Sequence, residues 1–223
     1  MHQLHCIIFD LDGTLTDPGE GIINSLIYAL KHFGIKGDPQ VLRKFIGPPL
    51  IDSFMKYYNF NEKQAKEAIR FYRRRFHDKG VFENYVYPGI PELLQTLTAQ
   101  GKKLAIATTK PTIYAVQVLE HFGIDSYFEQ ELVVGSYLDG SRTNKAELIS
   151  TVIKRLGGDN KSKVMVGDRK YDILGAKAND IDVIGVTYGY GEKKEIELAE
   201  PTWIVDSVSS LKKLLVKKTK IGQ

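Results

Sequence analysis

The order of apolar and polar positions predicts alternating strands and helices over most of the chain. Short apolar runs predict buried strands, and apolar residues at helical spacing predict the helices between them. The predicted strands are 5–10, 104–108, 132–134, 164–166 and 183–186, and the helices around them are 90–100, 112–122, 144–156 and 171–178. This alternation predicts an α/β fold, a Rossmann-like parallel sheet with helices on both faces.

Residues 17–80 have a different pattern, with helical spacing throughout and no convincing strand. Asp17 is expected to cap the first helix, with Pro18 at its first position and Glu20 bonding back to the cap. A second helical pattern runs from about residue 52 to residue 79. We therefore expect a small all-α insertion after the first strand.

Composition places the chain among ordinary globular proteins. Its 223 residues suffice for one large or two small domains, with 43% hydrophobic and 26% charged residues. The single cysteine, Cys6, excludes an internal disulfide framework and fits a reducing compartment. The apolar run 6–9 is too short for a signal sequence or a membrane span, so we expect a cytoplasmic protein with no membrane partner.

The net charge of +4 raises the question of nucleic-acid binding. The arginine run 73–75 lies among aromatic residues at helical spacing, so the aromatics are expected to face a core and the arginines water. The lysines of 212–220 follow the last apolar helical turn and are expected to form a solvated end. We therefore expect no dedicated nucleic-acid binding, and a monomer or weak homodimer.

Polar side chains suited to a phosphate or a divalent cation follow each predicted strand through the fourth. Ligands of open parallel sheets bind beyond the carboxyl ends of the strands, so these side chains are expected to share one crevice. They are Asp10, Asp12, Thr108, Thr109, Lys145, Asp168 and Asp172.

The spacing of the acidic residues points to a metal-assisted phosphate site. Asp10 and Asp12 alternate along an extended chain and face the same side, while Gly13 permits a sharp turn with N–H groups turned toward an anion. Carboxylates crowded in one crevice repel one another unless a cation is present, and oxygen ligands favour Mg²⁺. Taken singly, an Asp-Gly turn, a helix cap and a surface lysine remain alternative explanations.

Four segments resemble, in order and spacing, the motifs of the haloacid dehalogenase superfamily: Asp10-Leu-Asp-Gly-Thr14, Thr108, Lys145 and Gly167-Asp168-Arg-Lys-Tyr-Asp172. The resemblance covers nearly the whole chain. Segments 45–50, 87–90, 139–145 and 188–191 resemble the phosphoglycolate phosphatase-like branch. The resemblance implies a Rossmann-like phosphatase core at 1–16 and 87–223 and a helical cap domain at 17–86.

The resemblance also implies a role for each acidic residue. Asp10 would be the nucleophile that forms an aspartyl-phosphate. Asp12 would protonate the leaving alcohol and then deprotonate the attacking water. Mg²⁺ would be held by Asp10, the backbone carbonyl of Asp12, and Asp168, with Asp172 in support.

The remaining candidate residues would bind the substrate. Lys145 would bind the transferring phosphoryl group and balance the charge of the nucleophile. Gly13, Thr14, Thr108 and Thr109 would also contact phosphoryl oxygens.

Specificity is expected to depend on the cap, where the Gly47 loop would approach the leaving group. Arg43 and Lys44 beside it are candidates for binding a second anionic group. The alternative explanation, solvated residues at a helix end, stays open for both.

The expected function is Mg²⁺-dependent hydrolysis of a small phosphorylated metabolite, in the manner of a phosphoglycolate phosphatase. Alternatives on the same core are a nucleotide 5′-monophosphatase, a phosphotyrosine phosphatase and a phosphosugar mutase. A signalling receiver domain also uses aspartyl phosphate and Mg²⁺ on a parallel sheet, but it needs no helical insertion after its first strand.

Overall fold

The computed structural model describes residues 4–217, and its contacts divide the chain into two compact units. One unit combines Met1–Thr16 with Val86–Gln223, and the other is Asp17–Tyr85. No helix among the described residues has the length and apolar character to cross a bilayer. The predicted basic end falls partly at 218–223, outside the described residues.

The first unit is built on a six-stranded sheet. In chain order its strands are β1 (Cys6–Phe9), β4 (Lys103–Pro111), β5 (Val133–Ser136), β6 (Lys163–Gly167), β7 (Asp182–Val186) and β8 (Trp203–Val205), and two short strands, β2 (Thr16–Asp17) and β3 (Tyr85–Val86), pair separately. The sheet order is β5-β4-β1-β6-β7-β8, with every neighbouring pair parallel. The central position of β1 explains why all its residues are buried.

Helices cover both faces of this sheet. They are α5 (Ile90–Ala99), α6 (Thr112–His121), α7 (Lys145–Leu156), α8 (Lys170–Lys177), α9 (Lys193–Leu198) and α10 (Val208–Lys217). Ile8 of β1 lies in a core cluster with Leu148 of α7 and Ile173 of α8. Its neighbours Ile7 and Phe9 point the other way and are also buried. The predicted α/β fold is therefore confirmed.

The structure extends the sheet beyond the prediction. β8 was not predicted; its three residues form a short apolar run at the sheet edge, and none of them is fully buried. β4 continues to Pro111, past the predicted end at residue 108, after a register shift against β5.

The second unit contains the helices α1 (Gly19–Lys31), α2 (Pro39–Leu42), α3 (Leu50–Tyr58) and α4 (Glu62–Arg75). The prediction of one helical stretch over 52–79 was wrong. Asn59 has a left-handed backbone (φ 52°) that ends α3, and a capping box between Asn61 and Gln64 starts α4. A single π-helical turn, Phe76–Gly80, follows α4.

The start of α1 also differs from the prediction. The helix begins at Gly19, and Pro18 precedes it as the cap residue without a side-chain bond. The Asp17 carboxylate still accepts a hydrogen bond from the Gly19 N–H at 3.0 Å. Glu20 does not bond back to the cap; its carboxylate accepts from the Tyr85 hydroxyl at 2.8 Å.

Candidate active site

The site is built on the carboxyl end of β1. The Asp10 N–H donates to the Val166 carbonyl at 2.9 Å, which continues the β1–β6 ladder into the loop. Its side chain is buried, and the Leu11 N–H donates to its Oδ1 at 2.7 Å. One carboxylate oxygen is thus fixed by the backbone, and Oδ2 lies 3.0 Å from the Lys145 ammonium.

The loop after β6 and the first turn of α8 bring two further carboxylates to Asp10. Asp168 and Asp172 are both buried, and one oxygen from each lies within 4.8 Å of one oxygen of Asp10. Asp172 also accepts from the Arg169 N–H at 3.0 Å, as an acid in the first turn of α8. A Cβ at Gly167 would lie 2.2 Å from the Asp172 carboxyl carbon, so only glycine permits this approach.

Lys145 joins this acidic cluster from the start of α7. Its Nζ lies 3.0 Å from Asp10 Oδ2 and 2.8 Å from Asp172 Oδ1, and it donates to the Ala107 carbonyl at 2.9 Å. Burial lowers the pKa of Lys145, but the two carboxylates outweigh it and the pKa is raised. The lysine therefore stays charged and forms ion pairs with Asp10 and Asp172.

The charge balance of the cluster fits a divalent cation. Burial, together with the charges of Asp172 and Asp10, raises the pKa of Asp168 well above its usual value. Its Oδ1 is buried and, within residues 4–217, has no hydrogen-bond partner. Buried carboxylate oxygens that converge without enough positive charge form the donor set of a hard ion such as Mg²⁺.

Asp12 does not join the acidic cluster through its side chain. The Asp12 carboxylate pairs instead with Lys110, whose Nζ lies 2.6 Å from Oδ2. Burial raises the pKa of Asp12, and the charge of Lys110 opposes that shift. Lys110 was not among the residues predicted for the site. Its position two residues after Thr108 on the same strand was the available signal.

The predicted phosphate-binding residues lie on two segments, Gly13 and Thr14 after β1 and Thr108 and Thr109 within β4. Gly13 has φ of +84°, and a Cβ there would lie 2.2 Å from Asp168 Oδ2. Thr14 is fully buried, and its hydroxyl bonds to no other described residue. Thr108 accepts from the Lys110 N–H at 3.2 Å, and the Thr109 carbonyl accepts from a serine hydroxyl at 2.8 Å.

The loop after β7 forms hydrogen bonds with both the loop after β1 and the loop after β6. The Tyr188 hydroxyl donates to the Thr14 carbonyl at 2.9 Å, and the Tyr190 N–H donates to Asp168 Oδ2 at 2.7 Å. Between them, a Cβ at Gly189 would lie 2.2 Å from the Gly13 carbonyl oxygen. Residues 188–191 resemble the phosphoglycolate phosphatase-like branch, but the sequence pattern alone predicted no role for them.

The three cap candidates lie in the second unit. Arg43 and Lys44 are exposed on a short 3-10 turn, and Gly47 has a left-handed backbone with φ of 105°. Their part in specificity stays a prediction.

Comparisons with known proteins agree with this geometry. Residues 7–186 match the haloacid dehalogenase-like hydrolase family. A 5′-nucleotidase of Pseudomonas aeruginosa is 44% identical over 94% of each chain. A phosphoglycolate phosphatase of Colwellia psychrerythraea is 31% identical over 95% of this chain and 96% of its own. The crystal structure of a predicted phosphatase from Clostridium acetobutylicum superposes with a TM-score of 0.92 at 45% identity, covering 97% of this chain and all of that one.

Proposed function

Because the chain belongs to the haloacid dehalogenase-like hydrolase family and is a phosphoric monoester hydrolase, we propose that it hydrolyses a small phosphate monoester through a phosphorylated Asp10, with Mg²⁺ as cofactor. The predicted resemblance to this family is thereby confirmed. The observation that carries the proposal is the position of Asp10, whose carboxylate lies 3.0 Å from the Lys145 ammonium and within 4.8 Å of oxygens of two further buried carboxylates.

In the first step, Asp10 attacks phosphorus through one carboxylate oxygen. The new bond joins that oxygen to phosphorus, and the ester P–O bond breaks with its electron pair going to the alcohol oxygen. Asp12 gives a proton to that oxygen, so the product leaves as a neutral alcohol. Lys145, 3.0 Å from Asp10, offsets the repulsion between two anions that must approach each other.

In the second step, water attacks the phosphorus of the aspartyl-phosphate. Asp12, now a carboxylate, takes the proton from this water, and the bond between phosphorus and the Asp10 oxygen breaks. Inorganic phosphate leaves, and the Asp10 carboxylate is regenerated. One residue therefore serves as acid and then as base, which requires a carboxyl group distinct from the nucleophile.

The acidic cluster provides the cofactor site of this proposal. Asp10, Asp168 and Asp172, with the backbone carbonyl of Asp12, would hold Mg²⁺. When bound, the ion supplies positive charge to the phosphoryl oxygens and to the nucleophile. The buried Asp168 oxygen that bonds to no described residue supports this assignment.

The loop from β1 and the end of β4 would bind the phosphoryl group. The Thr14 hydroxyl is buried and bonds to no described residue, so it is a donor that a phosphoryl oxygen can satisfy. The hydroxyl of Thr108, which is also buried, and the backbone around Gly13 and Thr109 would provide further contacts.

The substrate is proposed as a nucleotide 5′-monophosphate or phosphoglycolate. The more similar relative, at 44% identity, is named a 5′-nucleotidase, and a phosphoglycolate phosphatase is 31% identical. Two aromatic residues of the helical unit, Phe54 and Phe60, are buried with ring centroids 5.7 Å apart. They pack with each other, so base stacking would need other groups.

Phosphate release from a panel of monoesters tests the proposal. The wild-type protein should release phosphate with Mg²⁺ and lose activity in EDTA, and Asp10→Asn should abolish turnover. Asp182→Asn is the matched control, since this half-buried aspartate lies at the start of β7, outside the proposed site. Metal-independent release, or an active Asp10→Asn protein, would end the assignment. The panel also ranks nucleotides against phosphoglycolate and aryl phosphates, and a phosphosugar mutase would form an isomer rather than phosphate.

Three further predictions concern the setting of the enzyme. We propose a cytoplasmic location, from the single buried Cys6 and the absence of a spanning helix among the described residues. The monomeric or weakly dimeric state and the lack of a nucleic-acid partner stay predictions.

A further inference from the structure

Lys110 makes a contact with the proposed general acid that the catalytic scheme above does not use. Its Nζ lies 2.6 Å from Asp12 Oδ2, and the side chains of Lys110 and Asp12 are 4% and 15% exposed. At such low exposure the pair is shielded from water, so it holds a defined geometry better than a surface ion pair.

The two oxygens of Asp12 are in different situations. Oδ2 accepts from Lys110, whereas Oδ1 is buried and bonds to none of the described residues. A carboxyl group held by one oxygen and open at the other has a fixed orientation and one oxygen available for proton transfer.

Lys110 lies in an irregular part of β4, where the register of this strand against β5 shifts. Between the pairs Ala107–Val134 and Pro111–Ser136, four residues of β4 advance against two of β5. This bulge is fixed by the Ser136 hydroxyl on the Thr109 carbonyl at 2.8 Å. A Cβ at Gly135 would lie 2.2 Å from the Lys110 carbonyl oxygen, so β5 carries glycine where the bulge passes.

We propose that Lys110 is a positioning residue that holds Asp12 by Oδ2, so that Oδ1 faces the leaving-group oxygen and carries the transferred proton. In the first step the proton on Oδ1 goes to the leaving oxygen while Oδ2 still accepts from Lys110. In the second step Oδ1 takes a proton from water. This inference rests on the proposed function, and it assigns Lys110 to proton transfer rather than to phosphoryl binding.

The test exploits the leaving group. A nitrophenolate leaves without protonation, whereas an alkoxide requires the acid. Lys110→Met should therefore lower kcat for an alkyl phosphate by roughly 10²-fold, the order expected for misplacing a general acid. It should lower kcat for p-nitrophenyl phosphate only about 2- to 3-fold, since acid catalysis contributes little there. Lys110→Arg, which keeps the charge and the donor, should recover much of the alkyl phosphate activity.

Lys102→Met is the matched control. Lys102 is a buried lysine one residue before β4 that donates to the Leu4 carbonyl at the opposite end of the strand. Lys102→Met should leave the ratio of kcat for the alkyl phosphate to kcat for p-nitrophenyl phosphate unchanged. A double-mutant cycle with Asp12→Asn adds a second readout. In a protein that already carries Asp12→Asn, Lys110→Met should not change this ratio further. Circular dichroism verifies folding, and Lys110→Gln replaces Lys110→Met if the latter does not fold.

The outcomes separate this inference from the proposed function. An equal loss for both esters, or no loss for either, would overturn the positioning role while leaving the phosphatase intact. Additive effects of the Lys110 and Asp12 variants on the ratio would overturn it as well. A wild-type protein without Mg²⁺-dependent phosphate release would instead refute the proposed function, on which the inference depends.

Discussion

Gly189 offers a test of how closely the loop after β7 determines the acidic site. In Gly189→Ala, the added methyl would lie 2.2 Å from the Gly13 carbonyl oxygen and 2.5 Å from both Cβ and Oδ2 of Asp168. Ordinary contact begins near 3.4 Å, so the surroundings must open by roughly 1 Å. The atoms in the way are a backbone oxygen and a buried carboxylate, and neither is the far end of a flexible chain.

The displacement should affect stability and metal binding together. Overpacking of this kind costs about 1–3 kcal/mol in the free energy of unfolding. A shift of about 1 Å in a catalytic group costs on the order of 10² in rate. We therefore expect Gly189→Ala to weaken Mg²⁺ binding in isothermal titration calorimetry and to lower kcat about 100-fold at saturating Mg²⁺.

Gly37→Ala is the control for the added methyl. Its Cβ would lie 2.9 Å from a methyl group of Leu42, the end of a flexible side chain in the helical unit. This variant should keep the Mg²⁺ affinity and kcat of the wild type. An unchanged Mg²⁺ affinity and kcat in Gly189→Ala would refute the view that this loop fixes the position of Asp168.

Three other predictions concern charge. Lys145→Met leaves two buried carboxylates without their cation and should lower the free energy of unfolding by about 3–5 kcal/mol in urea without Mg²⁺; a loss near zero would contradict the ion-pair distances. Mg²⁺ at about 100 times its Kd should stabilise the wild type by about 2.7 kcal/mol, and Asp168→Asn should lose most of this gain in calorimetry. The hydrogen bonds from Arg75 lower the pKa of Glu83 in the folded protein. The pair therefore stabilises the fold fully above the pKa of Glu83 in the unfolded chain, near 4.5, and this stabilisation is lost as the pH falls through the lower pKa of Glu83 in the folded state. The stability difference between wild type and Glu83→Gln should therefore shrink below pH of about 4.5, and a constant difference would argue against the pair.

The parts of the fold that depend on local pattern were predictable from the sequence. The buried strands β1 and β6 are short and mostly apolar, and each is followed directly by its acidic residue. Because parallel strands present their carboxyl ends at one edge, Asp10 and Asp168 could be placed together without coordinates. The break at Asn59 was missed because apolar spacing continues across it, although the capping box that follows was a usable signal.

The parts that depend on contacts distant in sequence were not predictable. The contact between Lys110 and Asp12 joins residues 98 positions apart, from the part of β4 where its register against β5 shifts, and such a shift involves two strands. The need for glycine at 189 arises from the carbonyl of Gly13, far away in the chain. Neither the register shift nor the close approach of Gly189 to Gly13 can be derived from the spacing of residues in the sequence.

Trapping the covalent intermediate tests the central claim most directly. Wild-type protein mixed with a phosphate monoester and Mg²⁺, quenched in acid within the first turnover and digested, should yield a phosphorylated peptide with the phosphoryl group on Asp10. The same peptide should stay unmodified in Asp10→Asn and in wild type treated with EDTA. Phosphate release with no phosphorylated Asp10, or with the phosphoryl group on another residue, would contradict the account.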